Sequence, residues 1–253
     1  MFRFLLSSRW IGFALFVVLL SAICVRLGMW QFERLDDRLA QNKVISAHFK
    51  KDPVPLTTAL SAGQKVDDSS EWTRVTATGT YDLEHQVTVK FTTRDGAPGV
   101  DVVTPLVMTD GAAVLVDRGW IETKNTVDNP GVPAPPTGEV SVMGWLRQNN
   151  GAGSDATRPV DGQIRAISSI GMAKSVPYDL VDGYLNLRTQ DPEATKELAL
   201  EPKPELGQGP HFFYGLQWVF FAMLATVGYF WFARAEAKER RNPTRIDGFA
   251  KPD

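Results

Sequence analysis

Two long apolar runs frame the chain, and the pattern between them is strand-like. The first run extends from Trp10 to Val25 and continues past Arg26 through Leu27 to Trp30; the second extends from Phe212 to Ala233, interrupted by Gln217. A helix needs about 20 mostly apolar residues to cross the hydrocarbon core, and both runs qualify, because Arg26 lies near enough to the end to snorkel. Trp10, Trp30, Tyr214, Trp218, Tyr229 and Trp231 stand towards the ends, where amphipathic rings prefer the interface. Neither run has a polar face, which argues against a buried core helix. The first run follows Arg3 and Arg9 but closes without an Ala-x-Ala pattern, and a branched Ile23 precedes Cys24. It therefore reads as an uncleaved anchor rather than a signal or lipoprotein leader.

Beyond Trp30, Phe32, Leu35 and Leu39 alternate with charges at helical spacing, which predicts an amphipathic extension to about Phe49, stopped by Pro53 and Pro55. Leu56–Ala62 reads as a short helix or loop, and Gly63–Ser70 as a loop. From Thr73 the period becomes two. Strands are predicted at 73–81, 86–91, 100–108, 112–120 and 139–147, with two shorter ones at 164–170 and 184–188. Asp110-Gly111 predicts a hairpin, and the strand after it, Ala112–Trp120, is the most apolar and is expected to be central. Asn125–Gly138, with four prolines, reads as a loop, and Asn149–Gly162 as a mobile loop. A helical piece is expected near Ile170–Val176.

Charge orients these elements. Residues 1–9 carry Arg3 and Arg9 without an acid, and the tail carries Arg234, Lys238, Arg240, Arg241, Arg245 and Lys251 against four acids. Residues 31–210 hold 18 Lys+Arg against 25 Asp+Glu. Positive flanks stay in the cytoplasm, so the expected order is a cytoplasmic N-terminus (1–9), transmembrane helix 1 (10–30), an extracytoplasmic β-rich domain (31–210, with 31–49 the helical extension of the anchor), transmembrane helix 2 (211–233) and a cytoplasmic tail (234–253). The predicted fold class is a membrane protein in which two transmembrane α-helices flank one β-rich α+β domain with a mostly antiparallel sheet. Cys24 is the sole cysteine of the 253 residues, which excludes a disulfide framework and a thiolate metal site. A net charge of -2 without a basic stripe gives no footing for nucleic acid.

Chemistry-bearing residues are few. The histidines are His48, His85 and His211, with no His-x-x-x-His, nucleophile elbow or phosphate loop, so the chain does not read as an enzyme. No paired Cys or Met/His cluster suits Cu(I). His48 and His85 read as exposed side chains on a helix end and a turn. His211 opens the second apolar run, and Tyr214, Gly215, Trp218 and Ala222 follow along one helix face. An imidazole there is a candidate axial ligand for a haem iron, with Gly215 and Ala222 letting a macrocycle or a neighbouring helix come close. An interfacial His that caps the helix or bonds a backbone carbonyl is the competing reading, and spacing favours it. Arg118, beside Gly119 and Trp120, could anchor a carboxylate or haem propionate; equally it could be a structural Arg paired with a domain acid, with the Trp covering the sheet end.

Several segments, in order, carry a resemblance. They are Leu27-Gly28-Met29-Trp30-Gln31-Phe32-Glu33-Arg34, Val75 with Gly79-Thr80-Tyr81, Gly99 to Leu106, Val114 to Trp120, Gly138 to Gly144, and Gly209 to Trp218. Together they resemble the Surfeit locus protein 1 family of cytochrome c oxidase assembly factors over nearly the whole chain. The resemblance implies a role in maturing haem-copper oxidase, by holding or handing haem a, transiently bound, to the catalytic subunit. His211 matches the histidine implicated in haem binding in bacterial members, which raises the ligand reading to even or better; Tyr214, Trp218 and Arg118 complete the candidate set. The implied partners are the oxidase subunits, above all the haem-bearing one, and the lipid bilayer. The implied location is the bacterial plasma membrane, or the mitochondrial inner membrane in a eukaryote. Asp117 departs from the Asn usual in mitochondrial members. A permanent structural accessory subunit without haem is the alternative.

Overall fold

Where the chain is apolar on all sides it is helical, and where it alternates it is extended. The computed structural model describes residues 3–61, 63–123, 131–194, 196 and 198–241. In chain order its elements are α1 (Ser8–Lys50), β1 (Val54–Pro55), α2 (Leu56–Ala59), β2 (Arg74–Tyr81), β3 (Val87–Arg94), β4 (Ala97–Met108), β5 (Ala113–Glu122), β6 (Glu139–Arg147), α3 (Ser154–Thr157), β7 (Gln163–Ile164), α4 (Ser169–Met172), β8 (Leu180–Asp191) and α5 (His211–Arg241). Two compact units result: the described residues up to Asn42 with those from Leu206 onward, and Lys43–Glu205. Several expected segments fall partly outside the described residues: the N-terminus at 1–2, the Leu56–Ala62 piece at 62, the proline loop at 124–130, and the basic tail with Arg245 and Lys251 at 242–253.

In the first unit, α1 and α5 are each long and apolar enough to cross a membrane. They run antiparallel, since Trp10 meets Tyr229 at 5.7 Å between rings and Ser21 Oγ lies 3.3 Å from Thr226 Oγ1. Large apolar side chains such as Phe16, Leu19, Phe220 and Val227 point away from the pair and are half or more exposed. Over these stretches the outward side chains are apolar, the surface a helix presents to an apolar medium.

The second unit is an eight-stranded sheet in the order β1-β2-β6-β8-β5-β4-β3-β7, and a further β2–β4 pairing closes β2, β6, β8, β5 and β4 into a ring. The expected mostly antiparallel sheet is corrected: the sheet is mixed, with β1–β2, β3–β7 and β5–β8 parallel. The reason is the long excursion after β5, which lays down β6 and returns β8 alongside β5 in the same direction. The hairpin at Asp110-Gly111 is present, with Gly111 at φ 86°, and β5 is interior as expected. Both faces of β5 are buried: Val114 and Val116 pack with Val75, Val142 and Leu185, and Leu115 packs with Val87, Ile164 and Met172. The predicted strand at 164–170 is cut to Gln163–Ile164, because Ser168 Oγ accepts the Gly171 N–H and starts α4.

Candidate functional site

The helix pair builds its site from close backbone approach. A Cβ placed on Gly28 would lie 3.4 Å from the Gly215 carbonyl oxygen, and one on Gly215 would lie 2.8 Å from the Phe32 ring. Small residues on facing helices allow this. Ser21 Oγ donates to the Ala222 carbonyl at 3.4 Å. The small residues of α5 therefore face α1, so of their two expected uses the structure realises the neighbouring helix.

One turn before Gly215, His211 Nδ1 meets Gln31 Oε1 at 2.8 Å. An amide oxygen only accepts, so Nδ1 donates, and a neutral ring in that tautomer carries its lone pair on Nε2. The approach to α5 is held from α1 as well: Arg38 Nε and Asn42 Nδ2 donate to the Gly207 carbonyl at 2.8 and 3.1 Å. Tyr214 is 47 % exposed and Trp218 half-buried. An imidazole oriented by a second polar group and flanked by aromatic surface fits the donor chemistry of a haem ligand. The Gly215 face of α5 is covered by Gly28 and Phe32 of α1, whereas Tyr214 is exposed.

Arg118 belongs to the sheet unit. Pairing of Val102 with Gly119 and of Val103 with Asp117 leaves Arg118 as the extra residue of a β-bulge, and Gly119 follows at φ 125°. Arg118 is 3 % exposed; its guanidinium donates Nη1 to Gln86 Oε1 at 3.0 Å and Nη2 to the Pro133 carbonyl at 2.8 Å, and lies 5.6 Å from the Tyr81 ring centre. None of the ion pairs among the described residues includes Arg118, so the paired-acid reading is not what the fold provides. Trp120 instead covers Gly99, where a Cβ would fall within the indole. Asp117 is buried, accepts from the Gly119 N–H and Asn186 Nδ2, and is pushed up to about 7, first by burial and then by the charge of Asp101.

Two histidines correct their expected exposure. His48 is buried, with Nδ1 2.8 Å from the Glu71 carbonyl oxygen. His85 is half-buried against Asp82, Nδ1 to Oδ2 2.6 Å, and Tyr178 also donates to that carboxylate. Polar groups drawn into a fold are paired, and both rings are engaged in this way. Gln31, the partner of His211, stands in the sequence only as part of the Leu27–Arg34 segment that carries the family resemblance, with no role given to it there.

These features define a protein of two apolar, antiparallel helices and a mixed-sheet domain, with a histidine at the start of the second helix. Residues 18–223 match the SURF1 family, and the chain belongs to it. That family is known broadly as one of oxidase assembly factors. Among its relatives are uncharacterized SURF1-like proteins of Mycobacterium bovis and of two Mycobacterium tuberculosis strains. Each is 32% identical over 242 residues, covering 94% of this chain and 88% of the relative.

Proposed function

We propose that this chain is a membrane-anchored, non-enzymatic assembly factor for cytochrome c oxidase that holds haem a or delivers it to the catalytic subunit. The observation that carries this reading is the His211–Gln31 hydrogen bond, which orients one imidazole at the mouth of an apolar helix. When bound, the haem would supply an iron centre, and His211 is the residue that would hold it through a ring nitrogen. Gln31 holds Nδ1 as the donor, which keeps Nε2 available as that nitrogen. Tyr214 and Trp218 offer aromatic surface beside it, and the exposed apolar flanks of α5 exclude water within a bilayer. Both termini are cytoplasmic in this reading, the sheet domain lies outside, and the membrane is the bacterial plasma membrane.

Affinity capture of the tagged chain tests the assembly role. An assembly factor is recovered with incompletely haem-loaded oxidase and falls to substoichiometric levels on the mature enzyme. Cells carrying His211→Ala as the sole copy should show a lower haem a content per catalytic subunit. Constant stoichiometry with mature oxidase, and unchanged haem a in the variant, would instead support a permanent accessory subunit.

A further inference from the structure

Arg118 and Arg188 occupy equivalent irregularities on two paired strands. Arg118 is the extra residue of the β5 bulge, and pairing of Met143 with Thr189 and of Gly144 with Leu187 makes Arg188 the extra residue in β8. The two strands are in register at Asp117 and Asn186, next to the first arginine and two residues before the second. Both arginines line one cavity of about 120 Å³, together with Gln190, Glu193, Lys196 and Leu198. That is about ten times the space a single water needs.

Among the described residues, cations outnumber acids in this cavity. Arg118 is 3 % exposed, yet its partners are neutral, a side-chain amide, a backbone carbonyl and a ring face. Its Nε has no hydrogen-bond partner among the described residues. Arg188 donates Nη1 to the Glu201 backbone carbonyl at 2.6 Å and stacks on Trp145 at 4.2 Å; the Glu201 carboxylate, itself paired with Arg94, acts on it from a distance, and it forms no ion pair of its own among the described residues. Of the acids among the described residues, only Glu193 lines the cavity, against three cations. A buried guanidinium is costly to keep unless a counter-charge meets it, and bulges re-aim side chains next to functional sites.

We propose that this cavity is a binding site for a small oxyanion, a carboxylate or phosphate on a small molecule, gripped by Arg118 and Arg188 with Lys196 at the rim. The planar forks of two arginines suit either group, since each presents paired N–H donors to paired oxygens. Burial holds the Arg118 guanidinium below its ordinary pKa, the direction of a cation whose counter-ion is still to come. The site lies within the sheet unit and rests on no part of the His211 reading.

Ligand-observed NMR on the full chain in an uncharged detergent tests it. The phosphorus line of inorganic phosphate and the methyl line of acetate are titrated separately, at constant ionic strength set with chloride. At least one should broaden saturably, and which one does distinguishes a phosphate from a carboxylate ligand. In Arg188→Gln, checked for fold by circular dichroism, the affinity should drop by about tenfold or more. In Lys196→Gln it should drop less. Arg118→Gln should abolish binding if it folds; if it does not, the other two variants decide. No saturable broadening by either probe, or wild-type affinity in folded Arg188→Gln, overturns the proposal.

Discussion

His211 Nδ1 donates to Gln31 Oε1 at 2.8 Å, across 180 residues of sequence and between the two long helices. The bond sets which ring nitrogen carries the proton and which way the ring faces, the usual task of an outer partner to a metal-ligating histidine. Gln31→Leu keeps the volume and removes the acceptor. Haem affinity in this variant should fall by about 10–100-fold with His211 intact, read by spectrophotometric titration of haem into the purified protein. Gln31→Glu, which retains an acceptor, should fall less.

The approach of the helices just below that pair is set by Gly215, where an added Cβ would lie 2.8 Å from the Phe32 ring. Gly215→Ala should therefore lower stability by about 1–3 kcal/mol through overpacking. Adding Phe32→Leu should recover part of the loss, because the two changes touch the same contact. Thermal unfolding in detergent measures both, and additive losses in the double variant would contradict the packing account. Gly28→Ala meets only ordinary contacts at 3.4 Å and should be close to neutral.

A pH dependence follows from Asp117, held at about 7 by burial and by the neighbouring Asp101 carboxylate. In the unfolded chain a free Asp titrates near about 3.9. The folded state therefore binds the proton more tightly. The associated stability is fully present below about pH 4 and is lost as pH rises through about 7, an effect on the order of a few kcal/mol. Asp117→Asn should flatten most of this slope. It should also cost about 1–2 kcal/mol at acid pH, since the neutral carboxyl keeps acceptor capacity on both oxygens for Asn186 Nδ2 and the Gly119 N–H, whereas an amide offers one oxygen and sets an N–H donor against the other partner. Denaturant unfolding between pH 4 and 8 separates the two effects; an unchanged slope in the variant would assign it to other groups.

Local pattern made the strands legible. Thr73–Tyr81 and Glu139–Arg147 alternate cleanly, and both are strands at those positions, the first beginning at Arg74. The hairpin at Asp110-Gly111 was readable because its turn chemistry is confined to two residues. The parallel β5–β8 pair was not, because nothing local records that a strand 60 residues later returns alongside in the same direction. Ile164–Ile170 was misread because its β-branched residues outweighed Ser168, whose hydroxyl starts a helix turn. At the site, His211 stood out as a lone titratable group beside an apolar run. Arg118 stood out through its Gly-Trp neighbours, but the bulge that re-aims it is a register event across two strands, and Arg188 became visible only through it.

The most direct test of the central claim is the absorption spectrum of the tagged full chain, purified from cells that make haem a, beside His211→Ala purified in the same way. The account predicts a haem band in the wild-type protein that is lost or strongly weakened in the variant, with both proteins folded by circular dichroism. Equal haem bands in the two proteins would contradict His211 as the ligand, and colourless wild-type protein that still captures oxidase subunits would contradict haem carriage itself.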